Sequence, residues 1–125
     1  MPKEADPERL HLLARVLRDP ASNVVMFSRR AHEGSAEADD LGLHRLLPER
    51  TPRGRELELQ EALARCVEAG EQPNRIEYAY EDRDAETIYE FRITFRGERI
   101  YVKSELKDLE AGDPTLVIRS VKRQN

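Results

Sequence analysis

The chain has 125 residues, enough for one domain with a core of modest size. Charged residues make up 37% and aromatic residues 6%, so the surface is heavily charged and the core mainly aliphatic. The net charge of −4 argues against general nucleic-acid binding and leaves room for a local basic patch. A single cysteine, Cys66, excludes an internal disulfide and suits a reducing compartment. No apolar run approaches the roughly 20 residues of a membrane span, and no signal-peptide pattern opens the chain. The expectation is a soluble, cytoplasmic protein.

Asp6-Pro7-Glu8-Arg9 reads as a helix start, with a capping Asp, a Pro at the first helical position and an acidic first turn. Leu10, Leu13, Val16 and Leu17 form its apolar stripe, which ends before Asp19-Pro20. Asn23 to Phe27 is a short apolar run that predicts an edge strand or an extended connector. Ser28 is placed to cap a second helix running to about Asp40, with Gly42 as its terminator. His44 to Arg55, with Pro48, Pro52 and Gly54, reads as a loop. A third helix follows on Leu59, Ala62, Leu63, Cys66 and Val67, closed by Gly70. Beyond Gln72-Pro73-Asn74 the pattern changes. Ile76 to Tyr80 alternates weakly as a strand, Asp82 to Glu86 is a charged turn, and Ala111 to Pro114 is another. Thr115 to Lys122 is the last strand.

The clearest stretch is Ile88 to Lys103, two alternating runs around Arg96-Gly97. A two-residue loop sets Phe95 opposite Glu98, Ile93 opposite Ile100 and Phe91 opposite Val102 on one dry face. Thr94 with Arg99, Arg92 with Tyr101, and Glu90 with Lys103 then share the other face, with Glu90 and Lys103 complementary in charge. Helices in the first part of the chain and strands in the rest predict an α+β fold. It is a single domain over residues 1–125, with a helical part about 6–70 packed on one face of an antiparallel sheet about 76–122. The stripe Leu10, Leu13, Leu17 and the stripe Leu59, Leu63, Val67 are expected to cover Phe91, Ile93, Ile100 and Val102.

Nucleotide-loop, C-x-x-C and H-E-x-x-H patterns are missing. His11, His32 and His44 have no ligand-like spacing, so no metal site is expected. Cys66 lies on an apolar stripe and reads as a core residue. Glu37, Asp39 and Asp40 read as a solvated helix end. The residues left for chemistry are on the sheet: Arg92, Tyr101 and Lys103 on one face of the hairpin, with Arg119 and Lys122 near the end of the last strand. Tyr with Lys or Arg on one rigid surface can cleave RNA without a metal. One group takes the 2′-hydroxyl proton, a cation steadies charge on the phosphate, and an acid protonates the leaving oxygen. The same residues are also ordinary sheet-surface side chains.

The order of elements resembles the MqsR-like toxins (motility quorum-sensing regulator family) of bacterial toxin–antitoxin systems. The resemblance runs from about Val24 to Lys122. It rests on Val25-Met26-Phe27-Ser28 with an Ala-containing helix and Leu41-Gly42-Leu43, similar to a family "fT..A...a..lGl" stretch. Gly97 to Lys103 is similar to "g..iYiK", and Val117-Ile118-Arg119-Ser120-Val121-Lys122 to a terminal "viSFK". The resemblance implies a RelE-like fold and an endoribonuclease that cuts messenger RNA and is neutralised by a cognate antitoxin protein. It implies Tyr101 and Lys122 as cleavage-site residues, Lys103, Arg92 and Arg119 as RNA contacts, and neither metal nor small-molecule cofactor. The chain departs from the family where a lysine falls near Glu77, with Arg75 two positions away, and where a glutamine falls at Tyr89. The segment Arg45 to Arg55 is longer and richer in proline, and Val121 replaces an aromatic residue. A protein-binding module on the same sheet, cleaving nothing, is the competing expectation. An accessory domain of a regulator is a third, although nothing resembles a DNA-reading helix-turn-helix.

Overall fold

A computed structural model describes residues 7–21, 24–69, 75–78 (backbone), 88–107 and 114–124. Helix α1 (Pro7–Leu17) begins on the predicted Pro and buries Leu13, Val16 and Leu17. Strand β1 (Val25–Phe27) follows. Ser28 then caps α2 (Arg29–Glu33): its Oγ accepts from the Ala31 N–H at 3.1 Å and donates to the Arg119 carbonyl at 2.9 Å. Helix α3 (Gly42–Leu46) and the long α4 (Pro52–Ala69) complete the helical part. The sheet is completed by β2 (Arg75–Tyr78), β3 (Ile88–Phe95), β4 (Glu98–Lys107) and β5 (Thr115–Arg123).

The molecule is α+β, but its sheet is mixed rather than purely antiparallel. Its order is β1-β5-β4-β3-β2, a meander of the last strands with β1 added parallel to β5. The helical and sheet parts are therefore not fully segregated in sequence. β1, Val25–Phe27, leaves the helical half to cover the β5 edge. It is short, a common way of blunting an edge, and its Met26 is 51% exposed.

The hairpin register is the predicted one. Phe95 pairs with Glu98, Ile93 with Ile100, Phe91 with Val102, Arg92 with Tyr101 and Glu90 with Lys103. Both turn residues have positive φ, 49° at Arg96 and 81° at Gly97, the geometry that matches strand twist. Arg96 takes this conformation although Asn or Asp is preferred there. Its guanidinium reaches from the turn to Glu58 at 2.9 Å and to Glu49, tying the hairpin tip to α4 and to the segment that precedes it. The inward residues Tyr89, Phe91, Ile93, Ile100 and Val102 are buried with Leu13, Leu17, Leu59, Leu63 and Val67 in one core. The two helical stripes do cover the dry face.

Two parts of the helical half differ from expectation. The second helix stops at Glu33 rather than near Asp40, because Gly34 turns left-handed with φ 72°. Gly42 does not terminate a helix. It opens α3, and residues 44–46 and 52–55 of the expected loop are helical. Arg55 is buried and explains the second change. It donates to the Leu47 carbonyl at 2.8 Å and the Pro48 carbonyl at 3.3 Å, satisfying the C-terminal end of α3 from within α4. The expected turns over residues 82–86 and 111–113, the Gly70 stop and the ends of the strand over 79–80 lie outside the described residues.

Candidate functional site

The outward face of the sheet brings three of the five sequence-predicted residues into one row. Arg92 of β3 is paired with Tyr101 of β4, and Tyr101 with Lys122 of β5. The Arg92 guanidinium carbon lies 5.4 Å from the centre of the Tyr101 ring, within cation–π reach. Lys103 stands in the neighbouring row, between Glu90 and Ser120. Beneath the register, Arg75 of β2 pairs with Arg92 and Glu77 with Glu90.

Lys122 reaches this face because β5 is irregular. Lys103 pairs with Ser120 but Ser104 pairs with Ile118, so Arg119 is an extra residue in the strand. Before the bulge the inward positions are Leu116 and Ile118; after it the inward position is Val121. An unbroken strand would have pointed Lys122 inward with Ile118. The extra residue reverses the alternation and aims Lys122 outward, opposite Tyr101. Arg119 itself sits at the bulge, about half exposed, in an ion pair with Glu105.

Three cations of this face have a carboxylate beside them. Arg92 bonds Glu90 at 3.0 Å, Arg119 pairs with Glu105, and Lys122 Nζ donates to Glu37 at 3.4 Å. Lys122 is only 18% exposed, and desolvation lowers its pKa. Tyr101 and Glu37 more than reverse this, so the net direction is upward. The ammonium therefore stays charged at neutral pH and can stabilise negative charge rather than accept a proton.

Three residues of this site lie in the segment read from sequence as a helix and its solvated end. Asp40 is fully buried rather than solvated, and holds Arg30 Nε at 2.8 Å; Glu37 reaches Lys122. The reason is the left-handed break at Gly34, which folds residues 35–40 back beside the end of β5. There the Arg123 N–H donates to the Asp39 carbonyl at 2.7 Å. The only sequence signal for this was the pair of glycines, Gly34 and Gly42, inside an otherwise helical pattern.

A cleft of about 560 Å³ between α4 and β3 shares no residue with the row and is lined in part by Glu61, Arg65, Cys66 and Thr94. Its thiol is no nucleophile. Burial pushes the Cys66 pKa up from 9.0 to about 11, leaving it protonated at neutral pH. The folded thiol keeps its proton where the unfolded thiol has lost it, so stability falls as pH rises from 9.0 toward about 11. Cys66→Ala should lack this alkaline component, on the order of 1–3 kcal/mol, in urea unfolding at pH 8 and pH 10.5.

Among the described residues, no three His, Cys, Asp or Glu side chains gather at metal-binding distance, and no helix is long and apolar enough to cross a membrane. His32 instead bonds Glu56 at 2.7 Å between α2 and α4, and His44 faces Arg55. No family model, no curated protein and no solved structure matches this chain.

Proposed function

We propose that this chain is a metal-independent endoribonuclease of the MqsR-like toxin type, on a RelE-like fold, that cuts messenger RNA and is held in check by a cognate antitoxin. The observation that carries the reading is the cross-strand row Arg92–Tyr101–Lys122, in which a phenol stands between two cations on a rigid sheet. The chemistry is transesterification. The 2′-hydroxyl loses its proton and attacks the adjacent phosphorus, the bond from phosphorus to the 5′-oxygen breaks, and that oxygen takes up a proton. The products carry a 2′,3′-cyclic phosphate and a 5′-hydroxyl. Tyr101 serves as the acid or base at this centre. Lys122 steadies the charge that builds on the non-bridging oxygens, where a pre-placed cation acts without reorganisation. Arg92, Lys103 and Arg119 contact neighbouring phosphates. The toxin assignment and the antitoxin partner rest on the sequence resemblance.

A protein-binding module on the same sheet is favoured by one observation: Arg92, Arg119 and Lys122 each already hold a carboxylate. Incubating purified protein with unstructured RNA in excess chelator separates the two. The expected result is discrete cuts ending in 2′,3′-cyclic phosphate. Intact RNA after prolonged incubation would leave the binding module as the better reading.

A further inference from the structure

A second cleft, of about 540 Å³, opens between α3, the tip of the β3–β4 hairpin and the end of β5. Its floor is apolar: Leu41 and Phe95 are buried and Leu46 is half-buried. Among the described residues, Arg45, Arg96 and Arg123 line it against one carboxylate, Glu98. The three arginines are not equivalent. Arg96 is engaged by Glu58 and Glu49, neither of which lines the cleft. Arg123 meets Glu98 through one long contact of 3.3 Å, with both side chains nearly half exposed. Arg45 has no carboxylate partner among the described residues. Its Nη2 donates to the Ser35 carbonyl at 3.0 Å and the Asp40 carbonyl at 3.2 Å, so two neutral oxygens of the 34–41 loop hold it in place. Its Nε and Nη1 bond no other described residue.

We propose that this cleft seats one nucleotide of single-stranded RNA, its phosphodiester on Arg45 and Arg123 and its base against Leu41, Leu46 and Phe95. The identity of the ligand rests on the ribonuclease reading; the anion-binding character of the cleft does not. A guanidinium held by neutral carbonyls keeps its full positive charge, and a phosphodiester carries the single negative charge that matches it. Arg45 comes from α3 and Arg123 from β5, so an anion in the cleft meets donors from two walls. A tetrahedral phosphate offers oxygens to both, whereas a carboxylate holds its two oxygens in one plane. The exposed Arg123–Glu98 contact is weak enough to yield one of its donors. The apolar floor suits a base, and the cleft falls in the range of about 300–1,000 Å³ that receives a small-molecule-sized group. Arg123 directly follows Lys122 in β5. Successive strand residues point to opposite faces, so the seated nucleotide lies around the end of β5 from the cleaved bond and flanks it.

The test is binding of a 2′-O-methyl oligonucleotide, which cannot be cleaved, by fluorescence anisotropy across a salt series, beside cleavage of unmodified RNA. Arg45→Gln should weaken binding and reduce the slope of log affinity against log salt by about 0.7, the value for one phosphate contact on a single strand. Leu46→Ala should weaken binding by about fourfold, the equivalent of one buried methylene, and leave the slope unchanged, because it removes apolar wall and no charge. An unchanged slope in Arg45→Gln or unchanged affinity in Leu46→Ala overturns the proposal, as does a wild-type protein that binds no oligonucleotide. Should Arg45→Gln release the loop it holds and fail to fold, Arg123→Gln, at an exposed position, takes its place: a shallower slope supports the site and an unchanged one overturns it. Both shifts in a protein that cuts no RNA would keep the nucleotide site and remove the enzyme reading. Cleavage by a protein showing neither shift would do the reverse.

Discussion

Tyr101→Phe is expected to lower RNA cleavage by at least about a hundredfold, the lower range for losing a positioned acid or base. The substitution removes one oxygen and leaves the ring that Arg92 covers, so folding and the Arg92 position should be retained. Lys122→Ala is expected to cost a similar factor by removing the cation assigned to steady charge on the phosphate, in the range seen when one electrostatic donor is lost. The measurements are initial cleavage rates in chelator and growth inhibition when the chain is expressed alone. Lys122→Arg is the useful companion: it keeps the charge but changes the donor geometry, so partial recovery would point to charge and no recovery to position. Undiminished cleavage in both Tyr101→Phe and Lys122→Ala would remove the site assignment.

Gly42→Ala should be strongly destabilising for so small a substitution, as should Gly34→Ala at the other end of the loop. Gly42 has φ 63°, and a methyl there would lie 2.7 Å from the His32 carbonyl oxygen, 2.8 Å from the Glu33 carbonyl carbon and closer still to the Gly34 nitrogen. The left-handed conformation costs a non-glycine residue roughly 1–2 kcal/mol. Forcing atoms into a close-packed site costs about 1–3 kcal/mol more. The sum is a large share of the roughly 5–15 kcal/mol of a typical domain. Gly97→Ala is the internal control, with φ 81° but open space around the added carbon, so it carries the conformational part alone. Urea unfolding of the two variants should place the Gly42→Ala midpoint clearly below that of Gly97→Ala. Equal midpoints would mean that the backbone at Gly42 can move aside.

The Gly42 contact matters beyond stability because it closes the loop over residues 34–41. Gly34 and Gly42 meet backbone to backbone, and the segment between them carries Glu37 to Lys122 and Asp40 to Arg30. A variant that opened this contact should also change RNA binding without touching any residue of the Arg92–Tyr101–Lys122 row.

The hairpin was readable because alternation couples its register to its burial. Slipping Phe91, Ile93, Ile100 and Val102 by one position would have put all of them in water, so one pairing was strongly preferred. The stripes of α1 and α4 were readable for the analogous reason at helical period. The bulge at Arg119 left no such mark. Leu116, Ile118, Ser120 and Lys122 alternate as regularly in the sequence as they would in an unbroken strand. Only pairing with β4 reveals that the extra residue turns Lys122 outward. β1 was ambiguous for a related reason: three residues carry too little pattern to show whether an extended segment has a partner.

The sequence by itself determined the α+β class, the hairpin register, and the inward and outward sides of β3 and β4, because each is enforced by short-range periodicity and apolar burial. The tertiary structure alone decided that β1 joins β5 in parallel, that Lys122 stands beside Tyr101, that Asp40 holds Arg30 and that Glu37 reaches Lys122. These depend on contacts between segments far apart in the chain. They were settled by a one-residue bulge and by two glycine backbones in contact, features whose energy lies in the neighbours they meet rather than in the residues that form them.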